Sequence, residues 1–124
     1  MPEVLLVDDN PTQLRARAAV LREAGFSVRT ASTADAAFDL LRDPAFTAGL
    51  RVIVTDHVMP GVGGAVFVRE LRRASSVPVV VVSGLVEAEE EYAGLEVHFL
   101  PKPCLPEDLI HQVRDALQKN ARSA

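Results

Sequence analysis

Asp56 closes the run Val52-Ile53-Val54-Thr55, an apolar stretch suited to a buried strand, and the turn-forming His57-Val58-Met59-Pro60-Gly61 follows it. Val4-Leu5-Leu6-Val7 ends the same way in Asp8-Asp9-Asn10-Pro11, so two strand ends carry three acidic side chains. If the strands are neighbours the carboxylates meet, and two like charges about 4 Å apart repel by about 4 kcal/mol at an effective dielectric of about 20. Such a cluster calls for a cation, and a hard divalent ion with oxygen ligands, such as Mg2+, suits it. Two further strand ends add Ser83 and Lys102. A carboxylate can attack a phosphoryl group to give an aspartyl phosphate. Mg2+ on the acidic residues, the Lys102 ammonium and the Ser83 hydroxyl would then offset charge on the phosphoryl oxygens.

The elements that must position these groups alternate. Apolar runs at Val4 to Val7, Ser27 to Ala31, Leu50 to Thr55, Val79 to Ser83 and Val97 to Leu100 are separated by helical patterns, as in a parallel sheet with covering helices. Asn10-Pro11 caps a first helix with Leu14, Ala18 and Leu21 on one face, and Gly25 stops it. A second helix opens at Ser32-Thr33, buries Ala36, Ala37, Leu40 and Leu41, and closes at Asp43-Pro44. Gly63-Gly64 precede a third carrying Val66, Phe67 and Leu71, and a short acidic fourth spans Glu87 to Ala93. The fifth begins at Pro106 and aligns Leu109, Ile110, Val113 and Leu117. This is the pattern of an α/β, doubly wound five-stranded sheet, with function at the carboxyl ends of the strands. Residues 1–119 are expected to form the domain, and 120–124 a C-terminal tail or linker stub.

Composition narrows the classes. The 124 residues suffice for one domain without disulfides, and the single Cys104 cannot form an internal bridge, so a reducing cytoplasm is expected. Thirteen basic against seventeen acidic residues, with the arginines scattered, argue against direct nucleic-acid binding. No apolar run approaches the roughly 20 residues that span a bilayer, so no membrane role is expected. His57, His98 and His111 lack metal-ligand partners at sensible spacing and read as surface or interface residues. Cys104 reads as inert, and the Glu87, Glu89, Glu90, Glu91 cluster as a solvated helix face.

Val4 to Asn10, Asp56 to Gly64, Val79 to Gly84 and the Lys102-Pro103 pair together resemble the receiver domain of two-component response regulators, and the likeness spans nearly the whole chain. The resemblance implies a flavodoxin-like fold with strand order 2-1-3-4-5. It also implies that Asp56 is the phosphoacceptor, that Asp9 binds Mg2+ directly and Asp8 largely through water, and that the Val58 main-chain carbonyl completes the protein ligands. Ser83 would be the switch hydroxyl, Lys102 the phosphate-contacting cation, Pro103 the residue after a cis peptide bond, and Phe99 the aromatic that moves inward on activation. The implied partners are a sensor histidine kinase or phosphotransfer protein upstream and an effector protein or output domain downstream. Eighteen residues lie between Ser83 and Lys102, fewer than the family usually has, and the loss falls on the fourth helix, which is expected to be short or irregular. Val58 and Leu85 are apolar where many members carry polar groups, which points to slow loss of the phosphoryl group.

Two rivals fit less well. A phosphatase of the haloacid dehalogenase type needs a second Asp two residues after its nucleophile, and Val58, which cannot transfer a proton, stands there. A dinucleotide-binding module needs a glycine-rich turn after the first strand, where Asp8-Asp9-Asn10 is found. A receiver-like module that is never phosphorylated would not need the acid trio, Ser83 and Lys102. The expected role is a phosphoacceptor signalling domain that assists its own phosphorylation and dephosphorylation, and not an enzyme.

Overall fold

A computed structural model describes residues 3–59, 61–84 and 86–123. Strands β1 (Val4–Val7), β2 (Val28–Ala31), β3 (Val52–Asp56), β4 (Val79–Ser83) and β5 (His98–Pro101) form one parallel sheet in the order β2-β1-β3-β4-β5. The central register sets Val4 against Val52 and Val7 against Thr55, so Asp8 and Asp56 leave the sheet side by side. The chain reverses its direction of winding between β1 and β3, the crevice where ligands bind in open α/β sheets.

Strand residues alternate between two cores. Val4, Leu6, Val52, Val54, Val80, Val82 and Leu100 pack against α1 (Pro11–Glu23) and α5 (Pro106–Ser123), through Ala18, Leu21, Leu109, Val113 and Ala116. Leu5, Val7, Ile53, Val79 and Val81 face α2 (Ala34–Leu41), α3 (Pro44–Gly49) and α4 (Gly64–Arg72). With both faces covered, the central strands are continuously apolar until their carboxyl ends, where Thr55, Asp56 and Ser83 stand, and each fully buried Val or Leu contributes about 1.5–3 kcal/mol.

Local chemistry sets the helix ends that matter to the crevice. Asn10 Oδ1 accepts from the Thr12 and Gln13 N–H groups at 3.0 and 3.1 Å, and Pro11 takes the first helical position, so α1 starts directly behind the acidic pair. Losing such a cap costs about 1 kcal/mol. Gly25, at φ 101°, supplies the left-handed turn that ends the helix.

Two expectations are adjusted by the structure. Asp43-Pro44 does end α2, but Asp43 also caps the short helix α3, because proline is as well suited to a first turn as to a stop. On α4 the buried residues are Gly64, Ala65, Phe67, Val68 and Leu71, whereas Val66 points outward, half-exposed. The fourth helix is short and irregular, as expected, a 3-10 helix over Val86–Tyr92. At the far end α5 continues to Ser123, carrying residues 120–123 in helical backbone.

Candidate functional site

Asp8, Asp9 and Asp56 each place a carboxylate oxygen so that all three atoms lie within 4.8 Å of one another. Asp8 is fully buried and Asp56 nearly so, while Asp9 is exposed. The Lys102 ammonium is 2.9 Å from Asp56 Oδ1, an ion pair that reaches across from the loop after β5. Its contact is one of charge, since Asp56 Oδ1 has no aligned hydrogen bond among the described residues. Ser83 is buried at the end of β4, where the register sets Val82 beside Asp56 and the Ser83 carbonyl accepts from the Lys102 N–H at 2.8 Å. The Lys102–Pro103 peptide is cis. Val58 lies just beyond Asp56 with 64% of its surface exposed, and Leu85 lies outside the described residues. Phe99 sits within β5, half-buried, across from Val81.

Burial pushes the Asp8 carboxyl above its ordinary range, and the charge of Asp56 adds to the effect. The Asn10 N–H, which donates to Asp8 Oδ1 at 3.0 Å, and the cations of Arg17 and Lys102 work in the opposite direction. Arg17 was not among the expected site residues. Its Nη1 lies 2.8 Å from Asp8 Oδ2, from a side chain that is itself mostly buried. The signal was present in the sequence: an arginine stands within the stripe of Leu14, Ala18 and Leu21 on the inward face of α1.

His57 also departs from expectation, being buried and not a surface residue. Its Nδ1 is 2.7 Å from the Tyr92 hydroxyl, and its Nε2 is 3.2 Å from a Glu91 carboxylate oxygen. A carboxylate only accepts, so in the neutral ring Nε2 carries the hydrogen and Nδ1 accepts from the Tyr92 O–H. Tyr92 stacks edge-on against both His57 and Phe99, with centroids 5.5 Å apart in each pair. The three rings thus run from the residue beside Asp56, through the 3-10 helix, to β5. Gly64 permits the approach: a Cβ there would lie 2.5 Å from the Tyr92 hydroxyl and 2.7 Å from the Asp56 carbonyl oxygen. Arg72 ties the segment after the 3-10 helix to the turn before β4, donating to the carbonyls of Leu95 at 2.8 Å and Val77 at 2.7 Å.

Three carboxylates and a lysine meeting at a topological switch point is an arrangement suited to a divalent cation and an anionic group. The family model described as response regulator receiver domain matches residues 4–114. The chain belongs to the response regulator receiver domain family. This receiver domain is 36% identical over 121 residues to the hydrogenase transcriptional regulatory protein HoxA of Cupriavidus necator, covering 93% of the chain and 24% of the relative. It is 27% identical to the transcriptional regulatory protein BaeR of Escherichia coli, covering 95% of the chain and 49% of the relative. The receiver domain therefore spans about half the length, or less, of these curated relatives. Among solved structures it is similar to the chemotaxis response regulator CheY4 of Vibrio cholerae, with a TM-score of 0.82, 28% identity and coverage of 94% and 99% of the two chains. A receiver domain from Clostridium thermocellum, 22% identical, shares the fold over the full length of both chains with a TM-score of 0.89. No helix of the described receiver domain is long and apolar enough to cross a membrane.

Proposed function

We propose that this receiver domain takes a phosphoryl group from a phosphohistidine of a sensor histidine kinase or phosphotransfer protein onto Asp56, and thereby alters the surface it presents to an effector protein or output domain. A carboxylate oxygen of Asp56 attacks phosphorus, the P–N bond breaks, and the imidazole leaves with its electron pair. The observation that carries this reading is the meeting of Asp8, Asp9 and Asp56 at adjoining strand ends, with Lys102 in contact with Asp56.

The donor set suits a small, hard divalent cation: three carboxylates, one of them buried enough to raise its pKa. Asp8, Asp9, Asp56 and the Val58 carbonyl would hold Mg2+, which when bound screens the negative charge of the phosphoryl oxygens. Lys102, freed from the bare Asp56 carboxylate, pairs with one phosphoryl oxygen, and the Ser83 hydroxyl donates to another. Ser83 drawn toward the phosphate leaves room on the sheet face that Phe99 shares, giving two packed alternatives for the aromatic. The domain assists phosphorylation and dephosphorylation at its own aspartate and acts in the cytoplasm, without direct contact to nucleic acid.

Incubation with acetyl phosphate and Mg2+ should add one phosphoryl group by intact-protein mass spectrometry. Asp56→Asn should abolish the addition, and labelling that persists in this variant refutes the assignment. With a beryllofluoride mimic bound, NMR shifts should extend from Ser83 to Phe99 and residues 87–93; shifts confined to the acidic pocket refute the switch.

A further inference from the structure

We propose that Arg17 is a resident counter-ion of Asp8 that competes with the divalent cation and so sets the metal affinity of this site; the inference rests on the reading that Asp8, Asp9 and Asp56 hold that cation. Both oxygens of Asp8 are engaged without it. Oδ1 accepts from the Asn10 N–H at 3.0 Å, and Oδ2 is held by Arg17 Nη1 at 2.8 Å. Asp8 has no exposed surface, so in the metal-free site the guanidinium, and not solvent, is what offsets its charge.

Charge balance leads to the same conclusion. Arg17 on Asp8 and Lys102 on Asp56 offset two of the three carboxylates. A divalent ion added to that set leaves an excess of positive charge in a largely buried site, whereas with Arg17 removed the same ion brings the set to neutrality. The arginine therefore stabilises the metal-free site and opposes metal entry.

The guanidinium also has somewhere to go. Gln13 lies one turn before Arg17 on the same face of α1, and both line a groove of about 500 Å³ together with Lys102, Pro103 and Leu105. Gln13 Oε1 is a buried acceptor without a hydrogen-bond partner among the described residues. A guanidinium leaving Asp8 for the groove can satisfy that oxygen, so cation entry and Arg17 displacement are coupled steps.

The test is a Mg2+ titration followed by backbone amide NMR shifts, on the unaltered chain, Arg17→Gln and Arg17→Lys. Arg17→Gln should bind Mg2+ at least about tenfold more tightly, as expected for removing a unit charge close to the ion. Arg17→Lys, which keeps the charge, should stay near the parent. In the unaltered chain the Arg17 Nε–H resonance should move on saturation with Mg2+, a reading that does not depend on any variant folding. Arg17→Gln binding no more tightly than the parent, or an Arg17 resonance unmoved at saturation, overturns the competition. If neither the unaltered chain nor Arg17→Gln binds Mg2+, the metal reading itself fails and this inference falls with it.

Discussion

His57 Nδ1 and the Tyr92 hydroxyl, 35 residues apart in sequence, lie 2.7 Å from each other and tie the residue beside Asp56 to the 3-10 helix. Both partners are buried, so the bond forms where water cannot replace it. Tyr92→Phe keeps the ring against Phe99 and removes only the hydroxyl, leaving His57 Nδ1 without a donor. The variant should lose about 1–3 kcal/mol of stability, the cost of an unsatisfied buried polar group, measured by urea unfolding. A variant as stable as the parent shows that the bond contributes nothing net.

Tyr92 is the single tyrosine of the chain, so its ionisation can be followed by absorbance alone. Burial, followed by the charges of Glu91 and Asp56, raises its pKa well above the ordinary 10.0. A folded pKa above the unfolded one means that the stabilisation is complete below pH 10.0 and is lost as pH rises through the folded value. Tyrosinate absorbance should therefore stay absent above pH 10.0 until the chain unfolds, and Tyr92→Phe should flatten the alkaline decline in stability. Ionisation near pH 10.0 in a chain still folded by circular dichroism contradicts the burial argument.

Crowded carboxylates predict a metal response. The melting temperature should rise with millimolar Mg2+ by mass action, and Asp9→Ala should blunt that rise because an exposed ligand is gone while the buried pair with Arg17 remains. An Asp9→Ala protein that keeps the full Mg2+-induced shift excludes Asp9 as a ligand.

A further prediction concerns Val58 and the lifetime of the proposed phosphorylated state. Its apolar side chain stands exposed beside the cluster and offers no hydrogen bond to a water approaching Asp56. Val58→Asn, and separately Leu85→Asn, should speed phosphate loss, each tenfold change corresponding to about 1.4 kcal/mol of barrier. The measurement is single-turnover dephosphorylation after donor removal at fixed Mg2+ and pH. If the parent decays as fast as both variants, water access at these positions does not set the lifetime.

The acidic site was legible because its residues stand at punctuation marks. Asp8 follows four apolar residues and Asp56 follows three and a threonine, and a parallel sheet carries its strand ends to one edge, so residue type and position together imply the meeting. The sheet order rested on family resemblance, since alternation of strands and helices does not say which strands are neighbours. Short-range ambiguity explains the misreadings. Asp43-Pro44 serves equally as a stop and as a start, and Val66 lies one residue, about 100° of helix, away from the buried stripe of Phe67 and Leu71.

Sequence by itself determined the short continuous apolar strands, the Asn10-Pro11 cap behind the acidic pair and the three carboxylates at strand ends, because each depends on residues close along the chain. Only the tertiary structure decided that Arg17 takes Asp8 Oδ2 and that His57 turns inward to Tyr92. Polar side chains choose partners by distance and burial, and both quantities exist only once β1 lies beside β3 and the 3-10 helix packs against α4.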